Sequence, residues 1–144
     1  MSESSARPWV VMKFGGTSVS SPERWQTIVQ QAERARNGRC KVLVVVSALS
    51  GVTNLLTAIA DSLDAPARKQ LLKEIETRHL QLLAGLNVQA NDLFNQHWQS
   101  LQSLAETIKY PANAQDRASL LAHGELLSSS VGVLAFRSQG RDIC

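Results

Sequence analysis

The spacing of apolar residues changes character part-way along the chain, from short strand-like runs to long helical stripes. Residues 9–14 predict a first strand and residues 21–37 a helix. Pro22 sits near the first helical position, Ser20 and Glu23 are spaced as a capping box, and Asn37-Gly38 closes the helix. Residues 40–47, Cys40 through Ser47, predict a second strand. Its uninterrupted β-branched run suits a strand covered on both faces, as in a parallel sheet. Strand, helix and strand at this spacing imply a right-handed βαβ unit, whose ligands collect at the carboxyl ends of the strands. The loops leaving Lys13 and Ser47 should therefore lie side by side.

From Thr53 onward the period is helical. Leu55, Leu56, Ile59 and Leu63 mark one helix; a second restarts at Asp64-Ala65-Pro66 and carries Leu71, Leu72, Ile75, Leu82, Leu83 and Leu86. A third carries Leu93, Phe94, Trp98, Leu101, Leu104 and Ile108 and stops before Pro111. These predict an antiparallel helical hairpin packing its own apolar stripe. A last helix, about 114–138, can be capped by Asn113 with Asp116 three residues on. On its wheel Ala118, Leu121, Ala122, Glu125, Ser128, Ser129 and Gly132 share one side, while Leu120, Leu127, Val131 and Leu134 share another. Glu125 should thus project from a stripe of mainly small residues. Gly124 inside a helix costs ~1 kcal/mol relative to alanine, which suggests a close neighbour at its backbone.

Candidate chemistry concentrates at the end of the first strand, in Val10-Val11-Met12-Lys13-Phe14-Gly15-Gly16-Thr17-Ser18-Val19. Paired glycines let a ligand approach the backbone and tolerate positive φ angles that turn successive N–H groups inward. Thr17 and Ser18 add hydroxyl donors, and Lys13 adds a cation. The arrangement suits a phosphate. It is neither a P-loop, whose lysine follows its glycines, nor the GxGxxG dinucleotide turn. By residue type alone, a strand-end lysine reaching water beside an ordinary Gly-Gly turn fits equally well.

Composition narrows the classes. At 144 residues the chain is the size of one domain, and 44 % hydrophobic with 19 % charged residues is a globular composition. A formal charge of +3 without a basic run longer than two gives no footprint for nucleic acid. The longest apolar run, Val42 to Val46, is far short of the ~20 residues that span a bilayer, so no membrane partner is expected. Residues 1–8 read as a flexible polar tail without a signal-peptide core, making a cytoplasmic location the default. Cys40 and Cys144 form neither a zinc spacing nor a CxxC pair, and His79, His97 and His123 stand apart, so no protein-only metal site is expected.

The order Lys13-Phe14-Gly15-Gly16-Thr17-Ser18-Val19 resembles the N-terminal signature of the aspartokinases, within the amino-acid kinase family. Val45-Val46-Ser47-Ala48-Leu49-Ser50-Gly51-Val52-Thr53-Asn54 is similar to the family's second motif, and His123-Gly124-Glu125 to its third. The resemblance runs from Trp9 nearly to the end and implies an α/β fold: the N-terminal part of a carbamate kinase-like three-layer domain, with parallel strands followed by a helical arm. It implies a catalytic Lys13 touching the transferring phosphate of ATP, with Gly15, Gly16, Thr17 and Ser18 donating to phosphate oxygens. It also implies Ser47, Thr53 and Glu125 as the L-aspartate site, and Mg²⁺ carried by the ATP phosphates. The reaction implied is ATP-dependent conversion of L-aspartate to 4-phospho-L-aspartate, first step toward lysine, threonine and methionine.

Aspartokinases are larger than this chain. Residues 9–144 would be the N-terminal portion of the catalytic domain, ending before the nucleotide-binding half and expected to be inactive or nearly so alone. The parent would be a homo-oligomer, and fusion to a second enzyme occurs in the family. Three alternatives stay open: a related kinase with a different acid substrate, a non-catalytic binding or regulatory module of the same fold, and a structural interaction protein built on the helical arm.

Overall fold

The computed structural model describes residues 7–141 and 143. The tail expected over 1–8 falls mostly, and Cys144 wholly, outside those residues. Strand β1 (Trp9–Phe14) leads through a four-residue 3-10 turn (Gly16–Val19) into helix α1 (Pro22–Asn37), and strand β2 (Lys41–Val46) follows. Helices α2 (Val52–Asp61), α3 (Ala65–Gly85), α4 (Asp92–Thr107) and α5 (Ala114–Ser138) complete the order.

Caps and prolines set the helix boundaries. Asp64, Asn91 and Asn113 accept from the amides of Ala67, Phe94 and Asp116 at 3.3, 3.1 and 2.9 Å. Each satisfies a first-turn N–H that the helix itself leaves unpaired. In α1 the cap is Ser21, which accepts from Arg24 N–H, and not Ser20 as the capping-box spacing suggests. The helix closes at Asn37 as expected, but the left-handed residue that turns the chain is Arg39, not Gly38. Leu63 lies beyond the end of α2 and is 74 % exposed, so it belongs to a loop and not to the helical stripe.

β1 and β2 pair in parallel with Trp9 opposite Lys41 and Phe14 opposite Val46, and the ladder continues one step as Ser47 N–H donates to the Phe14 carbonyl at 3.0 Å. The expected βαβ unit is therefore present, with both strands ending at the same level. Alternation then divides the side chains between two faces. Met12, Phe14, Val42, Val44 and Val46 pack against the core. Trp9 and Val11, 64 and 63 % exposed, lie with Leu43 and Val45 on the other face, which nothing among the described residues covers. The sequence pattern suited a strand covered on both sides; here every helix in contact with the strands lies on one.

The core is organised by α5. Helix α4 packs chiefly against it, α2 packs equally against α5 and α3, and α3 packs chiefly against α2, so the expected hairpin packing its own stripe is met by α2 and α3 while α4 turns to α5. Leu120, Leu127, Val131 and Ala135 of α5 are fully buried, as is Trp25 of α1, whose indole Nε1 donates to the Val19 carbonyl at 2.8 Å. Gly132 is the reason α1 and α5 can meet there: a Cβ on residue 132 would stand 2.8 Å from Trp25 Cη2. By length and composition this 25-residue helix could cross a bilayer, contrary to the sequence expectation that no segment could. Its buried apolar side chains make it the core helix of the domain instead.

Candidate active site

Three segments far apart in sequence meet at Ala48, just beyond the carboxyl end of β2. From the first segment comes Gly16: a Cβ there would lie 2.8 Å from the Ala48 carbonyl oxygen. From α5 comes Gly124, where a Cβ would stand 2.7 Å from Ala48 Cβ and 3.4 Å from Leu56 Cδ1. Alanine at either position would overlap atoms already in place. The close neighbour that the helical glycine suggested is thus the loop after β2.

Gly15 and Gly16 do not adopt the positive φ angles that their residue type would tolerate. Gly15 is extended, at φ −77° and ψ 174°, and neither glycine has a positive φ. The left-handed glycine of the site is Gly51, at φ 80°, immediately before α2. A Cβ on residue 15 would meet nothing within 4 Å, so its backbone faces open space from which a ligand could approach. Ser18 N–H turns back to the Gly15 carbonyl at 2.9 Å, which leaves the hydroxyl of Ser18 as its outward donor.

The side chains singled out in the sequence belong to the three segments that meet at this junction. Lys13 is exposed, one residue before the end of β1 and opposite Val45 of β2. It shares the uncovered face of the sheet with Trp9 and Val11. Thr17 and Thr53 are exposed and Ser18 and Ser47 half-buried. Thr53 lies in the first turn of α2, and Ser47 follows β2 directly. Glu125 is exposed on α5, flanked by the small exposed residues Ala118, Ala122 and Ser129. Ser128 and Gly132, placed with it on the helical wheel, are buried, so the stripe of small residues splits into an open half and a packed half.

The His123-Gly124-Glu125 triplet divides its work by helical rotation. His123 turns inward, its Nδ1 at 2.8 Å from the Ser119 carbonyl and its Nε2 at 3.1 Å from Ser100 Oγ, joining α5 to α4. Gly124 admits Ala48, and Glu125 points outward. His79 is likewise structural: it is fully buried, with Nδ1 2.7 Å from the Ile75 carbonyl and its ring tilted against Phe94. Burial holds its pKa below the ordinary 6.5, outweighing the opposing backbone hydrogen bond.

Two further residues at the junction carry no sequence signal strong enough to single them out. Ser20 Oγ donates to the Gly16 carbonyl and accepts from Ser50 N–H at 2.8 Å. Arg78 of α3 donates from Nη1 to the Ser50 carbonyl at 3.0 Å. The serine doublet at 20–21, where a cap needs only one, is the faint clue for Ser20. Nothing in the sequence points to Arg78.

Among the described residues, Lys13 makes no ion pair, and no hydrogen bond engages the side chain of Thr17, Ser18, Ser47, Thr53 or Glu125. The cation, the carboxylate and the four hydroxyls on these segments are thus without side-chain partners among the described residues. No three His, Cys, Asp or Glu side chains gather to hold a metal among those residues.

Residues 8–142 match the model of the amino acid kinase family, and the chain belongs to that family. Within it, the chain is similar to aspartokinases. It is 31 % identical over 133 residues to lysine-sensitive aspartokinase 3 of Escherichia coli, covering 90 % of this chain and 29 % of that protein. It is 40 % identical over 63 residues to the aspartate kinase Ask_LysC of Stutzerimonas stutzeri, covering 43 and 15 % of the two chains. Its fold superposes on the crystal structure of E. coli aspartokinase III in complex with aspartate and ADP (R-state), with a TM-score of 0.77 at 26 % identity, covering 93 % of this chain and 30 % of that one. The chain spans less than a third of the length of these relatives.

Proposed function

We propose that residues 9–144 are the N-terminal portion of the catalytic domain of a cytoplasmic aspartate kinase, which transfers the γ-phosphoryl group of ATP to the side-chain carboxylate of L-aspartate. The observation that carries this reading is the meeting of Gly16 and Gly124 on Ala48, which gathers the three aspartokinase-like motifs at the strand ends. Similarity to a kinase solved with aspartate and ADP supports the substrate pair.

Phosphoryl transfer asks the protein chiefly to position reactants and neutralise charge on phosphate oxygens. The Lys13 ammonium supplies that charge beside a turn whose Gly15 leaves the backbone open to approach. The hydroxyls of Thr17 and Ser18 donate to phosphate oxygens. Glu125 holds the α-ammonium of aspartate, and the hydroxyls of Ser47 and Thr53 donate to its carboxylate or to the incoming phosphate. A side-chain carboxylate oxygen attacks the γ-phosphorus, a new O–P bond forms, and the bond to the leaving ADP oxygen breaks, giving 4-phospho-L-aspartate. Oxygen-rich phosphates suit Mg²⁺, which would arrive bound to ATP and add charge neutralisation.

The test is formation of an acyl phosphate, trapped as a hydroxamate, by the full-length protein supplied with ATP and a panel of amino acids and small acids. Aspartate-dependent product is expected. Turnover confined to another acid would identify a related kinase, and aspartate binding without any product would identify a non-catalytic module.

A further inference from the structure

Residue 50 is held from two sides by side chains remote from it in sequence. Its N–H donates to Ser20 Oγ at 2.8 Å, and its carbonyl accepts from Arg78 Nη1 at 3.0 Å. Each of these partners is anchored in turn. Ser20 Oγ donates to the Gly16 carbonyl, and Arg78 Nη2 meets Glu74 Oε1 at 2.6 Å along α3. Ser20, Ser50 and Arg78, with Leu49, Gln81 and Leu82, line a cavity of about 280 Å³. The contacts bridge 30 and 28 residues, so neither is a local turn-closing bond.

Their target adjoins the left-handed glycine of the site. Gly51, next in the chain, sits at φ 80° and has the widest backbone freedom of any residue type. Without outside restraint, a loop with such a hinge between Ser47 and Thr53 would sample many positions. We infer that Ser20 and Arg78 are positioning residues: by fixing residue 50 they set where Ser47 and Thr53 stand relative to the glycine turn, without touching a reactant themselves. The inference rests on the phosphotransfer reading above. The two residues differ in reach. Ser20 ties the loop to the turn that carries Gly16, so it bears on both halves of the site, whereas Arg78 bears on the loop alone.

The experiment compares Ser20→Ala, Ser20→Thr and Arg78→Met in the full-length protein, with Lys73→Ala as a control that removes a different ion pair of α3, that with Glu76. A misplacement of about 1 Å can cost up to ~10²-fold, and a rise of about 10-fold in the aspartate KM is expected for Ser20→Ala and Arg78→Met. The ATP KM should rise with Ser20→Ala and stay put with Arg78→Met. Ser20→Thr, which keeps the hydroxyl, should restore both constants, and Lys73→Ala should change neither. In parallel, hydrogen exchange at the residue 50 amide should quicken about 10-fold in Ser20→Ala and return to normal in Ser20→Thr, since that hydroxyl is its acceptor. Unchanged kinetics in an active enzyme would overturn the inference. If the unaltered protein makes no acyl phosphate, the phosphotransfer reading falls instead, and the exchange rate then decides the ordering role by itself: no change in Ser20→Ala rejects it.

Discussion

The surroundings of Trp25 and those of Ala48 use the same device to opposite ends. In both places a glycine of α5 lets a neighbour come closer than any other residue would permit: Gly132 receives the indole, Gly124 the methyl of Ala48. Around Trp25 the neighbours are apolar and buried, and the one polar atom of the ring is hydrogen-bonded to Val19. Around Ala48 the nearby strand ends and helix faces carry an ammonium, a carboxylate and hydroxyls without partners among the described residues. Tight packing therefore does not by itself mark a functional region. What separates the two is whether exposed polar side chains without partners lie on the segments that make the contact.

The largest effect that would sharpen this contrast belongs to Lys13. Its replacement by alanine should cut phosphoryl transfer by the ~10²–10³-fold typical of losing one preorganised charge-stabilising donor. The thermal midpoint should stay unchanged, because Lys13 is exposed and unpaired among the described residues. A loss of activity that tracked unfolding would erase the distinction. Glu125→Gln should raise the aspartate KM about 10- to 100-fold, in line with one hydrogen bond between charged groups, again without loss of fold.

Next come the two glycines of α5. Gly132→Ala and Gly124→Ala should each destabilise by about 1–3 kcal/mol in denaturant unfolding, the usual range for overpacking. They should differ in activity per folded molecule: near normal for Gly132→Ala, reduced for Gly124→Ala, since only the latter displaces the loop carrying Ser47 and Thr53. Equal activities would break the comparison.

A smaller, pH-dependent effect comes from His79. Its folded pKa is depressed, so the unfolded chain binds the proton more readily than the folded one. Stability should be fully present above the ordinary 6.5 and decline as the pH falls below it toward the lowered folded value. Urea titrations between pH 5 and 8 would check this, and a His79→Leu variant should flatten the acid limb. The smallest effect is expected for Gly15→Ala, within about 0.5 kcal/mol in stability, because a Cβ there meets open space.

Much of this architecture was legible in the residues. The helix restart at Asp64, the cap at Asn113, the parallel pairing of two apolar strands, and the limits of α5 all follow from local chemistry that tertiary structure did not override. Three of the misreadings share one cause, which is competition between equivalent local choices. Ser20 and Ser21 both satisfy a capping pattern, and the remote Ser50 amide decides that Ser20 is used elsewhere. Paired glycines at 15–16 can mean positive φ or close approach, and only the position of Ala48 selects between them. Apolar stripes on α3 and α4 specify that each helix packs, not against which partner. At the site, the residue types around Lys13 were readable, while Arg78 was not, because an arginine on a helix face looks the same whether or not it reaches a backbone carbonyl across the fold.

Ala48 offers its oxygen to one glycine and its methyl to another, which makes positions 16, 48 and 124 a single mechanical unit drawn from a turn, a loop and a helix. A bulkier side chain at 48 would press on Gly124, and the backbone of residue 48 has little room to retreat because Gly16 stands against its carbonyl. Among descendants of this gene the three positions should consequently drift together or not at all, whereas Gly15, beside them in sequence, is free of that bond.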